Sequence, residues 1–204
     1  LSLLFRKHRL YFIKPFSTNS KIGLVGGKVS PLPAENFFEK VINLSVAMKQ
    51  EIVESIKAGN NIYLCRGRSR AFSKAFAKQF KWGNAVSEDA YSYIMCKKLG
   101  FDFAYAPYAE VFYRSPQNFK DHMRQSVRFI KGQKNLADTT SQAEVLREHK
   151  IPLCIIFSSL VKYFLKNPFL FTAYIAVLVS AKILSLRGEE ANVKWDAAAS
   201  SKHL

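Results

Sequence analysis

Two adjacent carboxylates, Glu88-Asp89, follow Ser87 at what reads as the start of a helix. Acidic side chains in a first turn stabilise the positive helix end by about 0.3–1 kcal/mol. They can also do chemistry: a base that takes a proton from a substrate hydroxyl, or a metal ligand. Thirty-six residues after Asp89 begins Gln125-x-x-Arg128-Phe129-x-x-Gly132. At about 100° per residue, Phe119, Met123, Val127 and Ile130 share one side of a helix, and Gln125, Arg128, Phe129 and Gly132 share the other. Arg128 offers a planar fork of donors suited to phosphate. Phe129 offers an apolar plane for a sugar face, and Gly132 permits close backbone approach. Each cluster has an ordinary alternative: dipole compensation for the first, a solvated face for the second.

Charge narrows the partners. The 31 Lys+Arg outnumber the 15 Asp+Glu, a net charge of +16 that implies an anionic partner. Arg66, Arg68, Arg70, Lys74, Lys78 and Lys81 fall in 62–81 without an acid. Arg114, Lys120, Arg124, Arg128, Lys131 and Lys134 form a second basic stretch, with Asp121 as its single acid. Two basic stretches flanking one acidic pair fit a polyanionic substrate; a solvated or membrane-facing basic surface fits them equally. With 49% hydrophobic residues, global disorder is excluded. Cys65, Cys96 and Cys154 have no CxxC spacing and read as core residues in a reducing compartment. The histidines have no metal-ligand spacing, and no P-loop, GxSxG or zinc motif occurs.

The elements that must position these residues follow from periodicity and punctuation. Residues 1–16 read as a basic helix closed by Pro15. Ile22–Val25 and Lys28–Ser30 read as two strand pieces around a Gly26-Gly27 turn. Asn36 to Lys57 has helical spacing with Gly59 as its cap, and Ile62–Cys65 reads as a strand. A basic helix opens at Arg66 and runs to Phe80. Ser87 caps a helix to Leu99, with Gly100 beyond it. Phe103–Ala106 and Glu110–Arg114 are strand-like. Asn118 caps a helix to about Lys131, with Asp121 at the capping-box position. Residues 151–186 are strongly apolar. A bilayer span needs roughly 20 mainly apolar residues, which 167–186 supplies, with Lys182 able to snorkel; 151–165 is shorter and fits the interface or the first arm of a hairpin, and a buried helical pair is the alternative to both.

The pieces KIGLVGGKVSP (21–31), CRGRSRAFSKAF (65–76), SEDAYSYIMCKKLGFDFAYAPYAEVFYR (87–114) and QSVRFIKG (125–132) resemble, in this order, the second half of family-2 glycosyltransferases. The resemblance covers roughly residues 20–135. It implies an α/β fold: the C-terminal part of a GT-A, Rossmann-like domain (1–135), followed by a linker (136–150), one or two membrane helices (151–186) and a polar tail (187–204). It implies an inverting, hexosyltransferase-type enzyme. Asp89 matches the catalytic base and Glu88 its acidic neighbour. Gln125, Arg128 and Phe129 match the Gln-x-x-Arg-Trp motif that contacts the donor diphosphate and the acceptor, with Phe in place of Trp. Gly67 and Arg70 match a glycine-and-basic loop near the donor sugar. The implied partners are a UDP- or GDP-linked sugar, a glycan or polyprenol-linked acceptor and a membrane, with the catalytic part facing the cytoplasm; no nucleic acid is expected. The implied cofactor is Mg²⁺ or Mn²⁺ on an Asp-x-Asp motif. No such motif occurs between Leu1 and Ser87, so the metal and nucleotide half is expected upstream of Leu1. Two rivals stay open: an inactive glycosyltransferase-like partner subunit, and a non-enzymatic basic module for anionic lipid or nucleic acid.

Overall fold

A computed structural model describes residues 2–83, 85 and 87–186. Among them run α1 (Ser2–Thr18), β1 (Ile22–Pro31), α2 (Phe37–Ser55), β2 (Arg70–Phe72), α3 (Lys74–Gln79), α4 (Glu88–Lys98), β3 (Asp102–Tyr113), α5 (Phe119–Thr139), α6 (Gln142–Glu148), α7 (Leu153–Lys166) and α8 (Pro168–Leu186). The chain divides into two compact units. The first comprises Leu1–Ser30, Val53–Val111 and Gly132–Lys150, and the second Pro31–Ile52, Phe112–Lys131 and Ile151–Leu204.

The sheet has the order β2-β1-β3. Strands β1 and β2 are antiparallel, with Leu24 opposite Phe72, Val25 opposite Ala71 and Gly26 opposite Arg70. Lys21 O accepts from Asp102 N–H and Tyr113 O from Leu32 N–H, each at 2.8 Å. The equal offset of these two bonds makes β1 and β3 parallel.

Strand β1 is continuous, not two pieces around a glycine turn. Gly26 and Gly27 sit in mid-strand because other chain segments press against them. A Cβ on Gly26 would fall 2.2 Å from Leu64 O, and one on Gly27 would fall 2.3 Å from Ser69 Oγ and 2.4 Å from Ala109 O. Glycine inside a strand often marks such an approach. The pressing segment also departs from expectation. Ile62–Leu64 is a 3-10 turn, started by the Asn61 side chain accepting from Tyr63 N–H. The helix expected from Arg66 to Phe80 is instead a turn, β2 and the six-residue α3, whose start is capped by Ser73 Oγ. Pairing with β1 overrides the local helical preference of 66–72.

The first unit buries Leu24, Leu64, Phe76, Tyr93, Ile94 and Phe103 in one cluster, each such side chain contributing roughly 1.5–3 kcal/mol. Leu136 and Val145 join it, so the stretch read as a linker holds the end of α5 and all of α6. Cys65 and Cys96 are buried thiols, but Cys154 is exposed, against the core expectation. Helix α4 ends as expected at Gly100, in the left-handed region at φ 78°. Gly100 N–H donates to Lys97 O and Phe101 N–H to Cys96 O, the paired bonds of a Schellman motif.

In the second unit, α2 buries Val41, Ile42, Met48 and Ile52 along one stripe. Glu39 is fully buried and accepts from Arg114 at 3.2 Å and from Glu35 N–H at 2.8 Å. Arg114 also pairs with Glu35 at 2.8 Å and donates to Pro33 O at 2.7 Å. Asn118 caps α5: its Oδ1 accepts from Asp121 N–H at 2.9 Å, and its amide donates to the Asp121 carboxylate at 3.1 Å. Helices α7 and α8 pack together across Asn167.

The expected membrane spans are corrected. Among the described residues no helix is long and apolar enough to cross a membrane. Leu170, Phe171 and Tyr174 are buried against protein, and Lys49 stands 5.9 Å over the Tyr174 ring. Residues 187–204, expected as a polar tail, lie outside the described residues.

Candidate active site

The N-terminus of α4 gathers four of the residues that the sequence singled out. A Cβ on Gly67 would stand 3.6 Å from Glu88 Oε1 and 3.9 Å from Asp89 Cβ, so the 66–69 turn lies directly against the acidic pair. Ser69 N–H closes the turn on Arg66 O at 3.0 Å. Arg66 ties it down by donating to Tyr63 O and Val29 O, each at 3.3 Å.

Arg70 opens β2 opposite Gly26. The glycine pair lets this segment lie close to β1, and that seats Arg70 against α4. Its guanidinium donates to Glu88 O at 3.0 Å and to Ser92 Oγ at 2.9 Å, and pairs with Glu88 Oε1 at 3.3 Å. The Arg70 side chain is nearly buried, whereas that of Glu88 is half-exposed. Arg70 therefore fixes the first turn of α4.

Asp89 is half-buried, and its Oδ1 accepts from Ala90 N–H at 2.9 Å. Its backbone carbonyl accepts from Ser92 Oγ at 2.8 Å and Cys65 Sγ at 3.2 Å. Burial pushes the Cys65 thiol up to about 12, so it stays protonated and serves as a donor. Among the described residues no cation pairs with the Asp89 carboxylate. Sequence reasoning misses Ser92 and Cys65. The three-residue spacing from Asp89 to Ser92 is a usable signal; for Cys65 there is none.

Ser87 starts α4 but makes no side-chain cap bond. Its hydroxyl instead lies 2.3 Å from where a Cβ on Gly132 would stand. Gly132 is thus the point at which α5 backbone approaches the start of α4.

A family model described as glycosyl transferase family group 2 matches residues 7–188, most of the chain. This chain belongs to that glycosyltransferase family. Membership carries glycosyl transfer as the activity, and in general terms a nucleotide-sugar donor and a glycan acceptor. The mixed α/β architecture around a small three-stranded sheet fits a GT-A-like domain. No curated protein matches the glycosyltransferase.

The remaining predicted site residues lie on the α5 segment of the second unit. Gln125 is half-buried and Phe129 is largely exposed. The side chain of Arg128 lies outside the described residues. Phe119, on the expected core side of α5, packs edge-on against Phe38 at 6.4 Å. Among the described residues no group of three or more His, Cys, Asp or Glu could hold a metal ion.

Proposed function

We propose that this glycosyltransferase moves a hexosyl group from a UDP- or GDP-linked donor to a hydroxyl of a glycan or polyprenol-linked acceptor, with inversion, at the cytoplasmic face of a membrane. The observation that carries the reading is the meeting of the Gly67 turn, Arg70 and the Glu88-Asp89 pair at one helix terminus. In this reading Asp89 takes the proton of the acceptor hydroxyl as that oxygen bonds to the anomeric carbon. The bond from the anomeric carbon to the diphosphate oxygen breaks on the opposite face, and its electron pair leaves with the diphosphate. Arg70 does not touch the reacting atoms. It holds the first turn of α4 so that Asp89 stays aimed while the hydroxyl approaches. The Gly67 turn brings backbone, without a side chain, beside the carboxylates, where a sugar needs room. Roles for Gln125, Arg128 and Phe129 at the diphosphate and acceptor rest on the family motif. Mg²⁺ or Mn²⁺ as cofactor rests on the resemblance alone.

The test uses the intact protein with UDP- and GDP-sugars and glycan acceptors, and reads the anomeric configuration of the product by proton NMR. Inverted product from a donor of either nucleotide is expected. Retained configuration would refute the inverting mechanism, and consumption of neither nucleotide class would remove the activity.

Membrane association is supported by α7 and α8. Leu153, Phe157, Leu165 and Phe169 are each more than two-thirds exposed, a density of apolar surface that marks an interaction site. The net charge of +16 adds attraction to an anionic leaflet. The protein is expected to co-sediment with vesicles containing phosphatidylglycerol, and Leu165→Asp with Phe169→Asp to release it. Equal sedimentation of the double variant would show that these helices are not the contact.

A further inference from the structure

Trp82 is an exposed indole held firmly from beneath. It is 61% exposed, yet its neighbours fix it on several sides. Phe80 meets it edge-on with ring centres 4.7 Å apart, and Phe72 packs at 6.2 Å. The Arg70 guanidinium lies 5.7 Å from the ring centre. Its backbone is pinned as well: Tyr91 OH donates to Lys81 O at 3.4 Å, and a Cβ on Gly83 would fall 2.9 Å from the Tyr91 ring. Tyr91 belongs to α4, two residues beyond Asp89. Arg70 is the same guanidinium that pairs with Glu88. One cation therefore bridges the indole and Glu88.

A tryptophan that served only to fill the aromatic cluster of Phe72, Phe76 and Phe80 would turn its surface inward. Here most of the residue faces water while Phe72, Phe80 and Arg70 pack against the ring, and a side chain already packed in place loses little further entropy when a ligand lands on it. An indole presents a flat apolar face and one N–H donor. The matching ligand has an apolar face edged by hydroxyls, which describes a pyranose ring. The Arg70 cation beside the ring and the Glu88 carboxylate paired with it supply polar partners at the rim.

We propose that Trp82 is a stacking platform for a sugar ring of the acceptor, tied through Lys81 and Tyr91 to the helix that carries the base. This rests on the reading of Asp89 as base. It adds that the acceptor is a glycan of at least two rings: one presents the reacting hydroxyl, and another lies on the indole. Phe129 offers no indole in the family motif, whereas Trp82 presents one whose backbone is tied to α4 through Lys81 and Tyr91.

The experiment has two arms, both on the intact protein with Trp195→Phe as background so that fluorescence reports Trp82 alone among the chain's two tryptophans. In the first, chitotetraose, cellotetraose and mannotetraose are titrated and indole emission is followed. Saturable quenching or a blue shift with at least one of them is expected, absent with glucose alone. In the second, Trp82→Ala and Trp82→Phe are compared in the transfer assay. The Ala variant is expected to raise the acceptor KM about tenfold or more, a change of about 1.4 kcal/mol or more, with donor KM unchanged; the Phe variant should recover most of the loss. No emission change with any of the three glycans overturns the platform, and so does an Ala variant with wild-type acceptor KM. If the wild type shows no transfer at all, the catalytic reading fails, and the fluorescence arm alone decides whether Trp82 binds glycan.

Discussion

Asp89→Asn in the intact protein is expected to lower kcat by roughly 10²–10⁴, the usual contribution of a positioned general base, while donor affinity stays unchanged. The substitution is nearly isosteric. Asn keeps an oxygen to accept from Ala90 N–H, and the bonds from Ser92 and Cys65 end on the backbone carbonyl, which is untouched. The thermal midpoint should therefore hold while turnover is lost. Glu88→Gln makes the informative control. Glu88 is half-exposed and its ion pair with Arg70 is partly screened, so an exposed pair of this kind contributes little and most turnover should survive. Steady-state kinetics with calorimetric donor binding checks both variants. Wild-type turnover in Asp89→Asn would remove this carboxylate from the chemistry.

Arg114→Met is expected to destabilise the protein by about 3–5 kcal/mol, the usual cost of leaving one member of a buried ion pair behind. Glu39 is fully buried and would lose the Arg114 bond at 3.2 Å. Pro33 O and the Glu35 carboxylate would lose a donor too. The Met side chain keeps much of the apolar stem, so packing changes least. The double variant Arg114→Met, Glu39→Met should recover a large part of the loss, because an uncharged pair needs no desolvated partner. Urea midpoints of both variants and the wild type decide it. A single variant within about 0.5 kcal/mol of wild type, the range of ordinary surface substitutions, would show that this cluster does not hold the second unit together.

What the sequence made legible depended on how local the cause was. Helix α4 could be read because its stop lies in a few residues: Gly100 takes a left-handed conformation that its immediate neighbours demand. Asn118 and Asp121 announced the start of α5 for the same reason. The 62–80 stretch resists such reading because its conformation is settled elsewhere. Arg70–Phe72 is a strand because it pairs with β1, and glycines stand in mid-strand at 26 and 27 because Leu64 and Ser69 press on them. The candidate site divides along the same line. Asp89, Glu88, Gly67 and Arg70 were named from their types and order, and they meet in space. The Ser92 and Cys65 bonds to the Asp89 carbonyl, and the guanidinium shared by Trp82 and Glu88, needed three dimensions. The apolar run of 151–186 gave helices correctly but not their surroundings: hydropathy alone does not say whether Leu170 and Tyr174 face lipid or protein.

The glycine pair of β1 also governs chain length. Side chains alternate faces along a strand, so a shift of one residue turns each to the opposite side. With Leu64 O already against Gly26 and Ser69 against Gly27, the path between them has no slack. One residue inserted in 66–69 would carry Arg70 off its place opposite Gly26 and aim its guanidinium away from Glu88, although no residue of the proposed site would be replaced. The length of this turn is thus fixed by the same contacts that seat Arg70 against α4.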